Sequence, residues 1–452
     1  MTEVNIDHKR SFYKKLFKLV LPIAFQNFML AAVSASDALM LGVISQDDLS
    51  AVSLAGQVQF VFNLFILALT IGATVLTAQY WGRKDKNAIE KILSIVLKVS
   101  IVISVVFFIA ATFGGKLLMR IFTSDMTLIE SGALYLKIVG ISYLLTGVSQ
   151  IYLCIMKNTD KALKSTIISS VAMILNITLN AVFIFGIGKI PKMGIVGVAI
   201  ATVISRVVEL IWVISESLKK DRIKLNRKYL LSDDKILRKD FWKYTLPVLG
   251  NELVWGCGFT MYSVIMGHLG SDAVAANSIA NIVKNLIACF CIGIGSGGGI
   301  IVGNELGKGN LEIAKDYGKR IVILSIVSGV ISSMLLLSIT PIILKYSNLT
   351  SEAHGYLKGM LIICAYYLIG KSINSTVIAG IFCAGGDSKF GFICDTITMW
   401  VITVPLGLIA AFYFKVPVVA VYFIISLDEI VKLPAVYANY KKYNWVKNIT
   451  RA

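Results

Sequence analysis

Lys18-Leu-Val-Leu-Pro22 and Lys243-Tyr-Thr-Leu-Pro247 decide how this chain folds, because each opens a long apolar run and the second stands 225 residues after the first. The same shift, without a gap, pairs Lys14 with Lys239, Gly42 with Gly267, Asp47 with Asp272, Gly72 with Gly297 and Gly82 with Gly307. Matches such as Ala55/Ala280 or Phe65/Phe290 arise often enough by chance in apolar sequence. The informative ones fall on the helix-breaking proline, the turn glycines and the flanking charges, which set backbone shape and topology. The chain therefore reads as a duplication, with halves at 1–217 and 242–452 and a linker at 218–241.

Outward from these two stretches, apolar runs follow one another through all 452 residues, of which 56% are hydrophobic and only 15% charged. Soluble proteins carry about 25% charged residues, and the mean hydropathy of +0.77 places the chain in lipid. The runs predict helices near 16–43, 52–79, 91–114, 131–154, 163–186 and 193–217, then 242–266, 276–303, 318–344, 355–382, 390–413 and 416–436. The fold class is an all-α polytopic membrane protein, two six-helix bundles related by a pseudo-two-fold axis along the membrane normal. Six helices per half give both halves one orientation and leave a cleft between them, the layout of alternating access.

The net charge of +18 sits in short connections rather than on one face, which excludes a nucleic-acid partner. Lys219 to Lys243 is the longest basic connection and is expected in the cytoplasm, with the basic tail Lys441, Lys442, Lys447 and Arg451 on the same side. Both termini are then cytoplasmic, in a multi-pass protein of the cell membrane. The first run is followed by no cleavage site and is read as a retained helix. Seven cysteines without a CxxC pair read as packing residues. His8, His268 and His354 form no catalytic set and neither HExxH nor GxSxG occurs, so no enzyme is expected. The glycines of 292–299 lack the Lys-Ser or Lys-Thr of a phosphate loop and are read as a close helix contact.

Several elements resemble the multidrug and toxic compound extrusion (MATE) family over about residues 14 to 440. They are Leu21-Pro22, Ser36-Asp37 followed by Gly42, Gln79-Tyr-Trp-Gly82-Arg-Lys-Asp85, Asn176 with Asn180, and Gly197-Val-Ala-Ile-Ala-Thr202. The second half adds Leu246-Pro247, Asn304-Glu-Leu-Gly307-Lys-Gly-Asn310 and Gly385-Gly-Asp387-Ser-Lys389. The resemblance implies export of amphipathic, often cationic compounds in exchange for Na⁺ or H⁺, with Asp37 matching the carboxylate that binds the coupling ion. The chain departs from the family at Asn180, where an aspartate is commoner, and at Trp255 and Ser372, where some relatives carry acids.

An Asp at bilayer depth costs about 2.5–3.5 kcal/mol, so Asp37 is expected to face water, on one stripe with Gln26 and Val33. Asn176 and Asn180, one turn apart, and Thr202 on the next helix are expected to surround it with neutral oxygens. Such a site holds Na⁺ or leaves the carboxylate to take a proton, and the residues do not choose between them. In the second half, Glu252, Lys371 and Asp395 are candidates for coupling or for an internal ion pair, and Arg206 is expected to pair with Glu209. Gln26, Met173, Tyr262 and Tyr367 are the candidate substrate-cavity residues. No cofactor is expected beyond the coupling ion, and no metal beyond a possible Na⁺. The expected partners are small amphipathic molecules and the lipid bilayer, and the chain is expected to work as a monomer. A lipid-linked oligosaccharide flippase is the rival, and would need several cations facing its cavity for phosphate.

Overall fold

The computed structural model describes the backbone of residues 3–44, 46–188, 190–231, 234–347 and 349–451, with all their side chains except those of 3–10, 37–39, 41–44, 46, 227 and 231. The described residues are helical almost throughout. In the first half the helices are α1 (Glu3–Ile44), α2 (Gln46–Gly82), α3 (Lys86–Phe122), α4 (Met126–Asn158), α5 (Ala162–Phe185) and α6 (Gly194–Ser217). A short α7 (Arg227–Leu231) lies in the linker, followed by α8 (Lys235–Gly267), α9 (Ser271–Gly307), α10 (Leu311–Tyr346) and α11 (Ser351–Asn374). The chain closes with α12 (Ser388–Asp395), α13 (Val404–Leu408), α14 (Val418–Ile425), α15 (Asp428–Val431) and α16 (Leu433–Lys441). α11 runs on through a π-helical stretch at Ser375–Phe382, and α12 and α13 are joined and extended by two more at Thr396–Thr403 and Ile409–Tyr413. α11 with its extension, α12–α13 and α14–α16 are the tenth, eleventh and twelfth rods, each under an expected run. Ten described helices are long and apolar enough to cross a membrane. α8 and α14–α16 are the remaining two: α8 is less apolar than the ten, and α14–α16 is a span broken into three short helices.

Local chemistry sets the helix ends. The Asp85 carboxylate caps α3 by accepting from the Ala88 amide at 2.9 Å, Asp125 caps α4 through Thr127 at 2.8 Å, and Thr350 caps α11 through Ala353 at 3.1 Å. Gly186, at φ +70°, ends α5 in the left-handed conformation. The helices overrun the predicted apolar runs because they continue as polar turns past the hydrocarbon core.

Two compact units emerge. One consists of Met29–Thr77 and Asp85–Phe241; the other of Met1–Phe28, Ala78–Lys84 and Trp242–Ala452. Within the first, α3 and α4 lie against each other through small residues: a Cβ on Gly115 would stand 3.3 Å from the Ala133 carbonyl, and Ser100 donates to the Gly147 carbonyl at 2.7 Å. Asn158 Nδ2 ties α4 to α2 through Thr77 at 2.7 Å and Thr74 at 3.1 Å. The linker docks on the same unit. Glu216 gathers Lys164, Lys219 and Arg222, Ser94 donates to the Tyr229 carbonyl at 2.8 Å, and Lys91 pairs with Asp234 at 3.0 Å. Partial burial pushes the Asp234 carboxyl up, but the Leu237 amide and the Lys91 ammonium outweigh it and hold it below its ordinary range.

In the second unit the 292–299 glycines form the close contact expected of them. A Cβ on Gly293 or Gly297 would stand 2.8 Å from Ala24 or 2.9 Å from Val20 of α1. On the adjoining face, Gly295 and Gly299 meet the Ser375 and Gly380 carbonyls at 2.8 and 2.9 Å. One glycine-rich face of α9 thus seats α1 on one side and the π-helical stretch on the other.

The same unit shows the repeat as a physical contact. Ala78 and Gly303 are repeat-mates, and a Cβ on Gly303 would stand 2.9 Å from that of Ala78. On either side, Gly82 lies against Asn304 and Gly307 against Gln79, so close that a Cβ on either glycine would overlap the partner's backbone. Gln79 and Asn304 are themselves repeat-mates. A residue touching its own mate, flanked by two reciprocal contacts, is the signature of a two-fold axis. That axis crosses the ends of α2 and α9 at this point. The C-terminal tail closes over it: Gln79 donates to the Ala384 and Lys447 carbonyls at 2.7 and 3.0 Å and accepts from the Ile449 amide at 2.8 Å, while Trp445 is wholly buried against Gly318 and Gly385.

Candidate functional site

Asp37 stands in α1, but its side chain lies outside the described residues. Its expected companions do come together: Asn180 Nδ2 donates to Asn176 Oδ1 at 3.3 Å, and Asn176 Nδ2 points at Thr202 Oγ1, 3.4 Å away. Both asparagines are buried, and the Thr202 hydroxyl donates to Val198 in its own helix at 3.0 Å. Next to this group, Arg206 pairs with Glu209 at 2.8 Å as its spacing predicted, and Glu209 also accepts from Ser149 at 2.6 Å and Gln150 at 3.1 Å. A carboxylate with no surface exposure is thereby matched on every side. Met173 is buried in the same unit.

The second unit holds a larger charged cluster that sequence reasoning saw only in part. Neither an ion pair between Lys371 and Asp395 nor one of either with Glu252 forms. Lys371 lies 3.3 Å from Glu429, and Asp395 lies 2.8 Å from Lys432, which also reaches Glu429 at 3.5 Å and Asp428 at 3.9 Å. Asn374 clamps Glu429 twice, donating to its carboxylate and its carbonyl, each at 2.7 Å. The reason for the different pairing is a broken helix. α14 stops at Ile425, and Pro434 near the start of α16 prevents a continuous rod, so the intervening turn carries Asp428, Glu429 and Lys432 between α11 and α12. Lys371 and Asn374 end the regular part of α11, and Asp395 ends α12, each next to a π-helical stretch. Such stretches recur at functional sites because they re-aim neighbouring side chains. The missed signal was the Asp428-Glu429…Lys432 spacing, which reads as the polar end of the last apolar run.

Beside the cluster opens a small cleft, with an enclosed space of about 30 Å³, walled by Trp255, Phe259, Tyr262, Tyr367 and Tyr422. Asn277, Asn281, Lys284 and Asp428 supply its polar surface. Tyr262 and Tyr367 are thus on a cavity wall, and Tyr262 is anchored by a 2.6 Å hydrogen bond with Thr403. Gln26 is buried with no partner for its Oε1, and is not on this wall. Glu252 is half-buried and makes no ion pair. Lys371 lies 5.2 Å from the centre of the Trp255 ring, so the cluster touches the cavity through an aromatic wall.

Known proteins match this chain over most of its length. The MatE family profile matches the chain over residues 22–182 and 247–409, each match opening on one of the two repeat prolines. The uncharacterized transporter YisQ of Bacillus subtilis (strain 168) is 22% identical over 96% of this chain and 95% of its own. The probable multidrug resistance protein NorM of Thermotoga maritima is 25% identical over 89% of this chain and 86% of its own. The outward-facing conformation of a multidrug resistance MATE family transporter of the MOP superfamily superposes with a TM-score of 0.87 at 17% identity, covering 95% of each chain. With the repeat, the membrane helices and the family match in agreement, the chain belongs to the MatE family of efflux transporters.

Proposed function

We propose that the chain is a cation-coupled antiporter that exports amphipathic organic compounds, cationic ones among them, by alternating access. The observation that carries this reading is a charged cluster buried at membrane depth directly beside an aromatic cavity. Charge is retained inside a membrane protein where it lies on an ion or substrate path. Aromatic walls accept varied organic cations through their ring faces. The coupling ion is Na⁺ or H⁺, and one such charge crossing 100 mV releases about 2.3 kcal/mol, enough for a roughly 50-fold gradient of a neutral solute. Two carboxylate sets compete for the coupling role: Asp37 with Asn176, Asn180 and Thr202, and the set of Asp395, Asp428 and Glu429. The flippase alternative is weaker, because it calls for several cations facing the cavity, whereas Lys284 is the lysine on its wall and Lys371 and Lys432 are matched by carboxylates. On this reading the chain sits in the cell membrane with cytoplasmic termini and works as a monomer.

The test is ethidium efflux from proteoliposomes under an imposed Na⁺ or pH jump. Asp37→Asn is expected to abolish gradient-driven efflux in a protein that still folds and inserts, and Asp428→Asn to reduce it. Efflux that ignores both gradients, or that runs at the unmodified rate in both variants, overturns the proposal.

A further inference from the structure

The last residues of the chain touch both halves of the repeat where α2 and α9 cross, and they hold the two in different ways. Toward the second half the hold is mainly apolar. Trp445 is wholly buried against Gly318 of α10 and against Gly385, and it stacks on Tyr440 with ring centres 5.6 Å apart. The Ile449 side chain is buried beside Gly386, where an added Cβ would stand 3.4 Å from it. Asn448 Nδ2 adds a hydrogen bond to the Gly307 carbonyl of α9 at 3.3 Å. Toward α2 the hold consists of hydrogen bonds: Gln79 engages Lys447 and Ile449, the Arg451 amide donates to the Tyr80 hydroxyl at 3.3 Å, and Arg83 donates to the Arg451 carbonyl. The tail does not follow the repeat, since the Oδ1 of Asn304, the mate of Gln79, has no hydrogen-bond partner among the described residues.

We propose that residues 447–451 form a latch that stays with the second half and releases α2 each time this end of the protein opens, with Gln79 as its catch. The proposal rests on the alternating-access reading above. Because α2 and α9 come from opposite halves and meet backbone to backbone here, opening this end parts them, and the tail cannot remain on both. The chemistry of the two holds decides which one gives. Hydrogen bonds exchanged for bonds to entering water cost little, so Gln79, Tyr80 and Arg83 are released easily once water reaches the crossing. Withdrawing Trp445 would instead bare an aromatic surface of about 150–250 Å² to water, with nothing gained in exchange. Docked, the latch favours the closed form of this end, and every cycle has to undock it.

The experiment tethers the tail to one side or the other in the full-length protein. In a Cys257→Ser background, the remaining cysteines being buried, two exposed pairs are made: Arg83→Cys with Arg451→Cys, and Lys308→Cys with Asn448→Cys. Each pair is joined in detergent by a reducible bifunctional thiosulfonate, and the protein is reconstituted for ethidium efflux under a Na⁺ or pH jump. Before joining, both variants are expected to transport like the Cys257→Ser parent, which shows that they are folded. The tether to α2 should slow efflux about tenfold or more, because the open state can no longer be populated, and a reductant should restore it. The tether to α9 should leave the rate unchanged, since tail and α9 move together. Efflux at the unjoined rate with the α2 tether, or equal loss with both tethers, overturns the latch. If the parent itself moves no ethidium under either gradient, the transport reading fails and the latch falls with it.

Discussion

Lys432 is the residue on which the buried charges of the second unit depend, since it is 3% exposed and faces Asp395, Asp428 and Glu429 together. Burying an ion pair gains little, but removing one partner strands the other. Lys432→Met is therefore expected to cost about 3–5 kcal/mol, read as a lower thermal midpoint in detergent. Adding Asp395→Asn should recover part of the loss, because it removes the carboxylate left without its closest cation. A double variant no more stable than Lys432→Met would show that the pair is not the unit of interaction. Asp428, Glu429 and Lys432 were illegible in the sequence for a physical reason: their meaning comes from a helix break that turns them inward, and in one dimension they look like the solvated end of a span. Arg206 and Glu209 were legible because their partnership is local, three residues apart on one helix.

Elements were far easier to read than partners. A span announces itself by apolar length, so twelve runs gave twelve rods, while the π-helical stretches at Ser375–Phe382 and Thr396–Thr403 left no mark in composition. The glycine run of α9 was read as a contact surface, yet only packing reveals that alternate glycines serve different neighbours. Gly297→Val should displace α1, costing about 1–3 kcal/mol by overpacking, and a thermal midpoint unchanged from the parent would contradict the seam. The linker offers a pH prediction. Because the Asp234 carboxyl is held below its unfolded value of about 3.9, its pairing with Lys91 stabilises the docked linker above that pH and is lost as pH falls through the depressed folded value. Limited proteolysis within 218–234 by an acid-active protease should accelerate below about pH 4, and Asp234→Asn should show that susceptibility already at neutral pH to a protease active there.

At the scale of the molecule, the duplication was visible as prolines, glycines and charges at one spacing, and the structure turns it into a contact at Ala78 and Gly303. Sequence identity between halves could not say where the axis runs, since that depends on which mates touch. The reciprocal geometry makes a symmetric prediction: Gly82→Ala and Gly307→Ala should destabilise by similar amounts, about 1–3 kcal/mol each, since one pushes a Cβ into Asn304 and the other into its repeat-mate Gln79. A large loss from one and none from the other would mean that the two contacts are not equivalent.

The tail over this axis has a consequence for how the protein is made. Gln79 waits for Lys447 and Ile449, so a residue emerging early from the ribosome acquires these hydrogen bonds only 370 residues later. A nascent form that has not reached Ile449 is then incomplete at this crossing, including one stalled after Asn444 with the twelve spans described above inserted. A membrane protease that surveys new proteins would meet that open crossing as a mark of an unfinished chain, and the closing turn of Trp445 would hide it.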